Sequence, residues 1–173
     1  DFNGGTPFSI YFEYGGEDTS RGSNFRLGNA VLSAGLDVPA LFDVLHVNYE
    51  FSEWQLAWYG HSVYTDGLQN QGQLIGHWAA EQRQRYNSIA GHAVGAQHHN
   101  LTLGAQLNAT NRLELNLTAT QNEPLSSIDY ELGKSIQATW YTKWRRFNLA
   151  IMAQAHKNTL GEQHNGVSIQ VNW

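Results

Sequence analysis

No cysteine occurs anywhere in the chain, which excludes disulfide frameworks, thiolate metal sites and a cysteine nucleophile. Charge is scarce too: Asp, Glu, Lys and Arg make up 14% of the 173 residues, against roughly 25% in an average soluble domain. The formal net charge is -5, and with no basic footprint nucleic acid is not an expected partner. Long apolar runs are missing as well, and nothing approaches the roughly 18 residues of a spanning helix. A membrane form of this chain must therefore cross with strands. No basic segment leading into an apolar stretch follows Asp1, so the sequence reads as a mature form or a piece, with any leader left out.

Against these absences stand six Trp and eight Tyr, with aromatics at 12% and hydrophobic residues at 41%. Rings of that kind suit places where apolar surroundings meet water. Alternation with a period of two recurs along the chain. Phe8, Ile10, Phe12 and Tyr14 interleave with Ser9, Tyr11 and Glu13; Leu45, Val47, Tyr49 and Phe51 with His46, Asn48 and Glu50. Leu101 to Leu107, Leu113 to Ala119, Ile136 to Trp140, Phe147 to Ala155 and Val167 to Trp173 repeat the pattern. In a strand such sets fall on opposite faces. About eight to ten segments are expected, each of about seven to eleven residues, with no helix.

A soluble sandwich and a membrane barrel both alternate in this way. Three details favour the barrel. The polar set is Gln, Asn, Thr, Ser and Glu with few cations, as a wet interior requires. Trp54, Trp58, Trp140, Trp144 and Phe147 lie near segment ends, where interfacial girdles form. The chain ends on an aromatic, Trp173, closing an alternating strand, which resembles the C-terminal signal of outer-membrane barrels. The expected fold is all-β, a transmembrane antiparallel β-barrel formed by residues 1–173 as one domain, or the C-terminal part of a larger barrel. Tight turns are expected at Asn108 to Asn111, at Ser52-Glu53 and at Lys143 to Arg146. Longer connections are expected at Gly15 to Arg26, His61 to His99, Asn122 to Gly133 and Lys157 to Asn165. Counting back from the last strand puts the latter two on the outer side and the Asn108 turn inside; the count loses its parity within residues 61–99. An incomplete barrel would leave two unpaired edges, so these strands close alone or further strands complete the wall.

Two blocks carry a family resemblance. The stretch His61-Ser62-Val63-Tyr64-Thr65-Asp66-Gly67-Leu68, continuing through Gly72-Gln73-Leu74-Ile75-Gly76-His77, resembles the motif region of the Wzi capsule-assembly family. Tyr11-Phe12-Glu13-Tyr14 with Asp18-Thr19 is similar to that family's Tyr-x-Glu-Tyr strand. Where the family usually has a Tyr-Arg-Tyr-rich stretch, this chain reads Leu68-Gln69-Asn70-Gln71, which removes an aromatic and cations that could meet an acidic polymer. The resemblance implies a lectin-like protein of the bacterial outer membrane that holds capsular or another surface polysaccharide, with outer-membrane lipid as its other partner. It also implies a monomeric barrel of roughly eighteen strands, of which this chain would supply the C-terminal portion.

The expected polysaccharide-binding residues are Tyr64, Asp66, His61, His77, Glu13 and Asp18. Sugars stack their CH faces on aromatic rings and pair their hydroxyls with carboxylates, amides and imidazoles; weak single contacts add up along a repeating polymer. The plainer readings are that Asp66-Gly67 is a turn, that His77 bonds to backbone, and that Glu13 belongs to a hydrogen-bond network of the interior. No metal site, cofactor or catalytic residue is expected. His98 and His99 are adjacent and point to opposite faces of a strand, and no His-x-x-x-His or His-Glu-x-x-His spacing occurs. A hydrolase built on Ser62, His61 and Asp66 lacks the Gly-x-Ser-x-Gly elbow. Arg145-Arg146 beside Trp144 reads as an interfacial anchor. Two other functions remain open: a porin-type channel lined by the polar faces, and a barrel hydrolase using the His61 to His77 region.

Overall fold

The computed structural model describes residues 5–16, 30–55, 69–70, 73–74, 83–86, 89–93, 95–123 and 129–172. Among them every regular element is a strand: β1 (Ser9–Gly16), β2 (Ala30–Leu41), β3 (Leu45–Trp54), β4 (Gln69–Asn70), β5 (Gln73–Leu74), β6 (Arg83–Tyr86), β7 (Ile89–Ala93), β8 (Ala96–Asn108), β9 (Asn111–Asn122), β10 (Gly133–Trp144), β11 (Phe147–Lys157) and β12 (Gln163–Asn172). Eight of these form one antiparallel sheet in the order β1-β2-β3-β8-β9-β10-β11-β12, while β4-β5 and β6-β7 are separate two-stranded sheets. The all-β antiparallel expectation holds. The sheet is open, with β1 and β12 as its edges among the described residues.

The register converts the sequence alternation into two faces. One row of cross-strand partners reads Ile10, Leu36, Tyr49, Leu101, Leu117, Ile136, Ala155, Asn165. The next row, one residue on, reads Tyr11, Gly35, Glu50, Asn100, Thr118, Ser135, His156, His164. One face is thus apolar almost throughout and the other polar, because a one-residue step turns every side chain over. His98 and His99 separate as expected, the first on the polar face and the second on the apolar one.

None of the described residues packs over the apolar face. Ile10, Phe12, Val167 and Ile169 are each more than two-thirds exposed, and Ile136, Trp140 and Leu113 stand in the middle strands with over two-fifths of their surface free. The buried apolar side chains among the described residues are Trp54 and Ala96, and the register puts both on the polar face. A soluble sandwich would bury its inner apolar face; this sheet presents it.

Connections sort cleanly by end. The turns at residues 42–44, 109–110 and 145–146 all lie at one end of the sheet. Segments 17–29, 55–95, 123–132 and 158–162 all leave from and return to the other. Because β3 pairs with β8 antiparallel, the long central segment returns to the end it left, which restores the parity that counting loses. The segment after β1 therefore belongs to the same end as the connections 123–132 and 158–162.

Two local readings are corrected, and one strand was not anticipated. Ser52-Glu53 is no turn but lies within β3, paired with His98 and Gln97 of β8; the turn instead falls at 42–44, where Phe42 and Asp43 take left-handed φ values of 52° and 63°. Trp54 belongs to no lipid-facing girdle, since it is buried on the polar face at the end of the long connections. Trp58 lies outside the described residues. Finally, β2 escaped the alternation because Ala and Gly blur its contrast and Pro39 interrupts it beside a register shift between Val38 and Leu41. Proline is tolerated where the ladder is irregular.

Adjacent residues on β11 test the two-faced assignment. Ile151, on the apolar face, becomes intolerant of charge: Ile151→Lys is expected to cost about 2–4 kcal/mol in lipid vesicles, whereas Met152→Lys on the polar face costs less than about 1 kcal/mol. Urea titration of both variants in vesicles measures the difference, and equal losses would refute the assignment of faces.

Candidate functional site

The site is built on the polar face from three neighbouring strands, and runs from the middle of the sheet towards its long-connection end. Tyr11 on β1 sits opposite Gly35 on β2, which sits opposite Glu50 on β3. The Tyr11 ring lies across Gly35 so closely that any Cβ there would collide with it. Lying flat, the side chain spans β2 and its hydroxyl donates to Glu50 Oε2. Ser52 Oγ donates to the other oxygen, Glu50 Oε1, at 3.4 Å, and Ser52 Oγ is 3.0 Å from Ser33 Oγ. Glycine in a strand weakens pairing unless something uses the space; here a tyrosine uses it.

Glu13 occupies the next position along this face, opposite Ser33. It is exposed and takes no hydrogen bond from a described residue, and it lies beside the Tyr11–Glu50–Ser52–Ser33 network. Towards β8 and β9 the same end of the face closes to water. Ser52 and Thr159 are wholly buried and Trp54 is 1% exposed, with His98, Thr120 and Asn122 buried beside them. His98 Nδ1 lies 2.8 Å from Thr120 Oγ1, and Asn122 Nδ2 donates to Thr159 Oγ1 at 2.9 Å. Thr159 packs onto Gly133, where a Cβ would meet its methyl at 2.9 Å. Below them Asn116 Nδ2 donates to Asn100 Oδ1 and Thr102 Oγ1, and Thr118 meets Ser135 at 2.6 Å. Burial of polar groups is tolerable when they are paired in this way.

The short-turn end differs. His46 Nε2 sits 2.8 Å from Asp37 Oδ1, to which Asn48 also donates, and Arg112 pairs with Glu114 at 2.7 Å while lying over the Tyr141 ring. His46 and Arg112 line an open concavity of about 430 Å³ together with Asp43, Gly104 and Gln106. The ion pairs are part-exposed, a setting in which each contributes about 0–1 kcal/mol. Among the described residues no three metal-ligating side chains gather. Near the long connections, burial pushes the Tyr130 phenol above its ordinary value, and Lys157 pairs with Glu131.

Of the six expected binding residues, Glu13 is the one within the described residues. His61, Tyr64, Asp66, His77 and Asp18 lie outside them. The segments that carry them start and finish at the end of the sheet towards which Glu13 and the Tyr11 network extend. Sequence reasoning missed Gly35, Glu50 and Trp54. Tyr11 lay inside the recognised Tyr-x-Glu-Tyr block, but its partner is 39 residues away and only the register reveals it.

The sequence profile of the family described as capsule assembly protein Wzi matches residues 3–167. No curated protein and no solved structure matches the chain.

The Tyr11–Gly35 contact gives a coupled prediction. Gly35→Ala is expected to destabilise by about 1–3 kcal/mol by overpacking, and most of that loss should vanish when Tyr11→Ala is already present. A double-mutant cycle by denaturant unfolding in detergent measures it, and additive losses would show that the ring does not occupy the glycine.

Proposed function

We propose, for a chain that belongs to the Wzi capsule assembly family, that its sheet is part of an outer-membrane wall whose long-connection end binds capsular polysaccharide at the cell surface. A role in capsule assembly follows from the family. Binding of the polymer, and the residues that do it, are the proposal. The observation that carries it is the uncovered apolar face joined to a polar face that is sealed at one end: lipid suits the first, and the seal marks where the chain's long segments meet the wall. Outer-membrane barrels place short turns on the periplasmic side and long connections outside, so Glu13 falls in the outer half of the face, one position beyond Tyr11 at mid-sheet.

The chemistry fits a saccharide. Glu13 offers an exposed carboxylate, and Asp18, His61, Tyr64, Asp66 and His77 would add acceptors, donors and rings from the segments that leave the long-connection end. Several weak contacts repeated along a polymer give a firm hold by multivalency. The porin-type alternative needs a polar face wet along its whole length, and the burial of Ser52, Trp54, His98 and Asn122 supports a plugged wall instead. The hydrolase reading rests on Ser62, His61 and Asp66, which lie outside the described residues, and the sequence carries no Gly-x-Ser-x-Gly elbow to support it.

Capsule retention separates these readings. Purified capsule should bind the wild type and bind the Tyr64→Ala, Asp66→Ala double variant at least about tenfold more weakly, the loss of one or two charge-assisted or stacking contacts. Unchanged retention would remove the assignment of those residues. In planar bilayers the protein is expected to show no steady open conductance, and a persistent pore would favour the channel.

A further inference from the structure

The turn between β10 and β11 gathers features that capsule binding does not use. Trp144 and Phe147, the last pair of that hairpin, lie on the apolar face and stack with ring centroids 6.3 Å apart. The guanidinium of Arg145 stands 5.3 Å above the Trp144 ring and that of Arg146 stands 5.2 Å above the Phe147 ring. Arg145 takes a left-handed φ of 56°, a conformation uncommon for residues other than Gly, Asn and Asp. No carboxylate among the described residues pairs with either arginine. Two cations thus sit side by side on an aromatic shelf, their donors unclaimed by any described carboxylate.

Their position along the sheet is as telling. On the apolar face β10 runs from Lys134 to Trp144, and its partner β11 from Lys157 to Phe147. That length is about 33 Å at the rise of an antiparallel strand, or about 25 Å along the membrane normal at ordinary barrel tilt, the height of a barrel's apolar band. The band is therefore bounded by lysines at one end and by the two arginines at the other. At the same end of the sheet, two hairpins away, Phe42 is 80% exposed and Val44 is also exposed, so apolar contact recurs at this level.

We propose that the Arg145–Arg146 turn is a binding site for the phosphate of a membrane phospholipid in the leaflet on the short-turn side. The rings beneath hold the guanidinium planes and shed water from one side. Two planar forks then offer paired N–H donors to phosphate oxygens, the geometry for which arginine is suited and lysine is not. The acyl chains would run along the band above Trp144 and Phe147. The proposal rests on the sheet lying in lipid, and its test separates the two.

The full chain, folded in detergent, is offered phosphatidylglycerol, a diacylglycerol of the same chains, or soluble glycerol phosphate, and retained molecules are counted by native mass spectrometry. Wild type is expected to keep phosphatidylglycerol and neither of the others. Arg145→Asn with Arg146→Gln should keep it about tenfold less well, the loss of one to two charge-assisted hydrogen bonds; Asn is chosen because it accepts the left-handed φ. Arg145→Lys with Arg146→Lys should restore retention only in part. Equal retention by the neutral pair, equal retention of diacylglycerol, or equally tight binding of glycerol phosphate would each overturn the site. If the neutral pair does not fold, the single variant Arg146→Gln, which leaves the turn conformation untouched, must show the loss or the proposal falls. Failure of the wild type itself to insert into vesicles would instead strike the membrane reading beneath it.

Discussion

Backbone pairing is the constraint on which everything else in this sheet depends. A strand in hydrocarbon has no water to satisfy its amides, so each N–H and C=O must find a neighbouring strand. The ladder from β1 through β12 meets that demand across all eight strands, with a register that shifts beside Pro39 and beside the Asn108 turn. The two outer edges carry the remaining obligation. β1 starts at the short-turn end and β12 finishes there, so the edges run antiparallel to one another. They can join directly or through an even number of further strands, the parity found in bacterial barrels.

Once the ladder is fixed, the faces follow and so does the division of labour between the ends. The apolar face needs no cover if its solvent is lipid, which accounts for large apolar side chains left open across the middle strands. The polar face is not uniform. One end is knitted shut by Trp54, His98, Asn122 and Thr159, while the other keeps half-exposed ion pairs around a shallow basin. Tyr11 bridges the change, since its ring covers Gly35 and its hydroxyl reaches the third strand.

The fold was legible wherever side chains contrast strongly. Leu113 to Ala119 and Phe147 to Ala155 alternate so plainly that their strands and faces could be read directly. Ala30 to Leu41 was opaque because Ala, Gly and Pro carry little face information, and Ser52-Glu53 looked like a turn because composition alone cannot show that pairing continues through it. Trp54 illustrates a deeper limit. An aromatic near a strand end suggests a membrane interface, yet parity places it inward, and parity requires the register of the whole strand. The same holds for Glu50, whose role depends on a tyrosine two strands away. The family blocks were legible as motifs; of their candidate residues, Glu13 alone falls within the described residues.

The connectivity also dictates an order of assembly. Strands β8 to β12 are joined by four successive short or moderate links, and β1 to β3 by two, so each group can zip by local hairpins. The seam between β3 and β8 is different, for it must wait until the chain from residue 55 to 95 brings its ends together. Loop entropy grows slowly with length, by about 0.6 kcal/mol per doubling, so the seam costs little at equilibrium but forms late. Two half-walls maturing separately and then meeting edge to edge is the natural history this topology imposes.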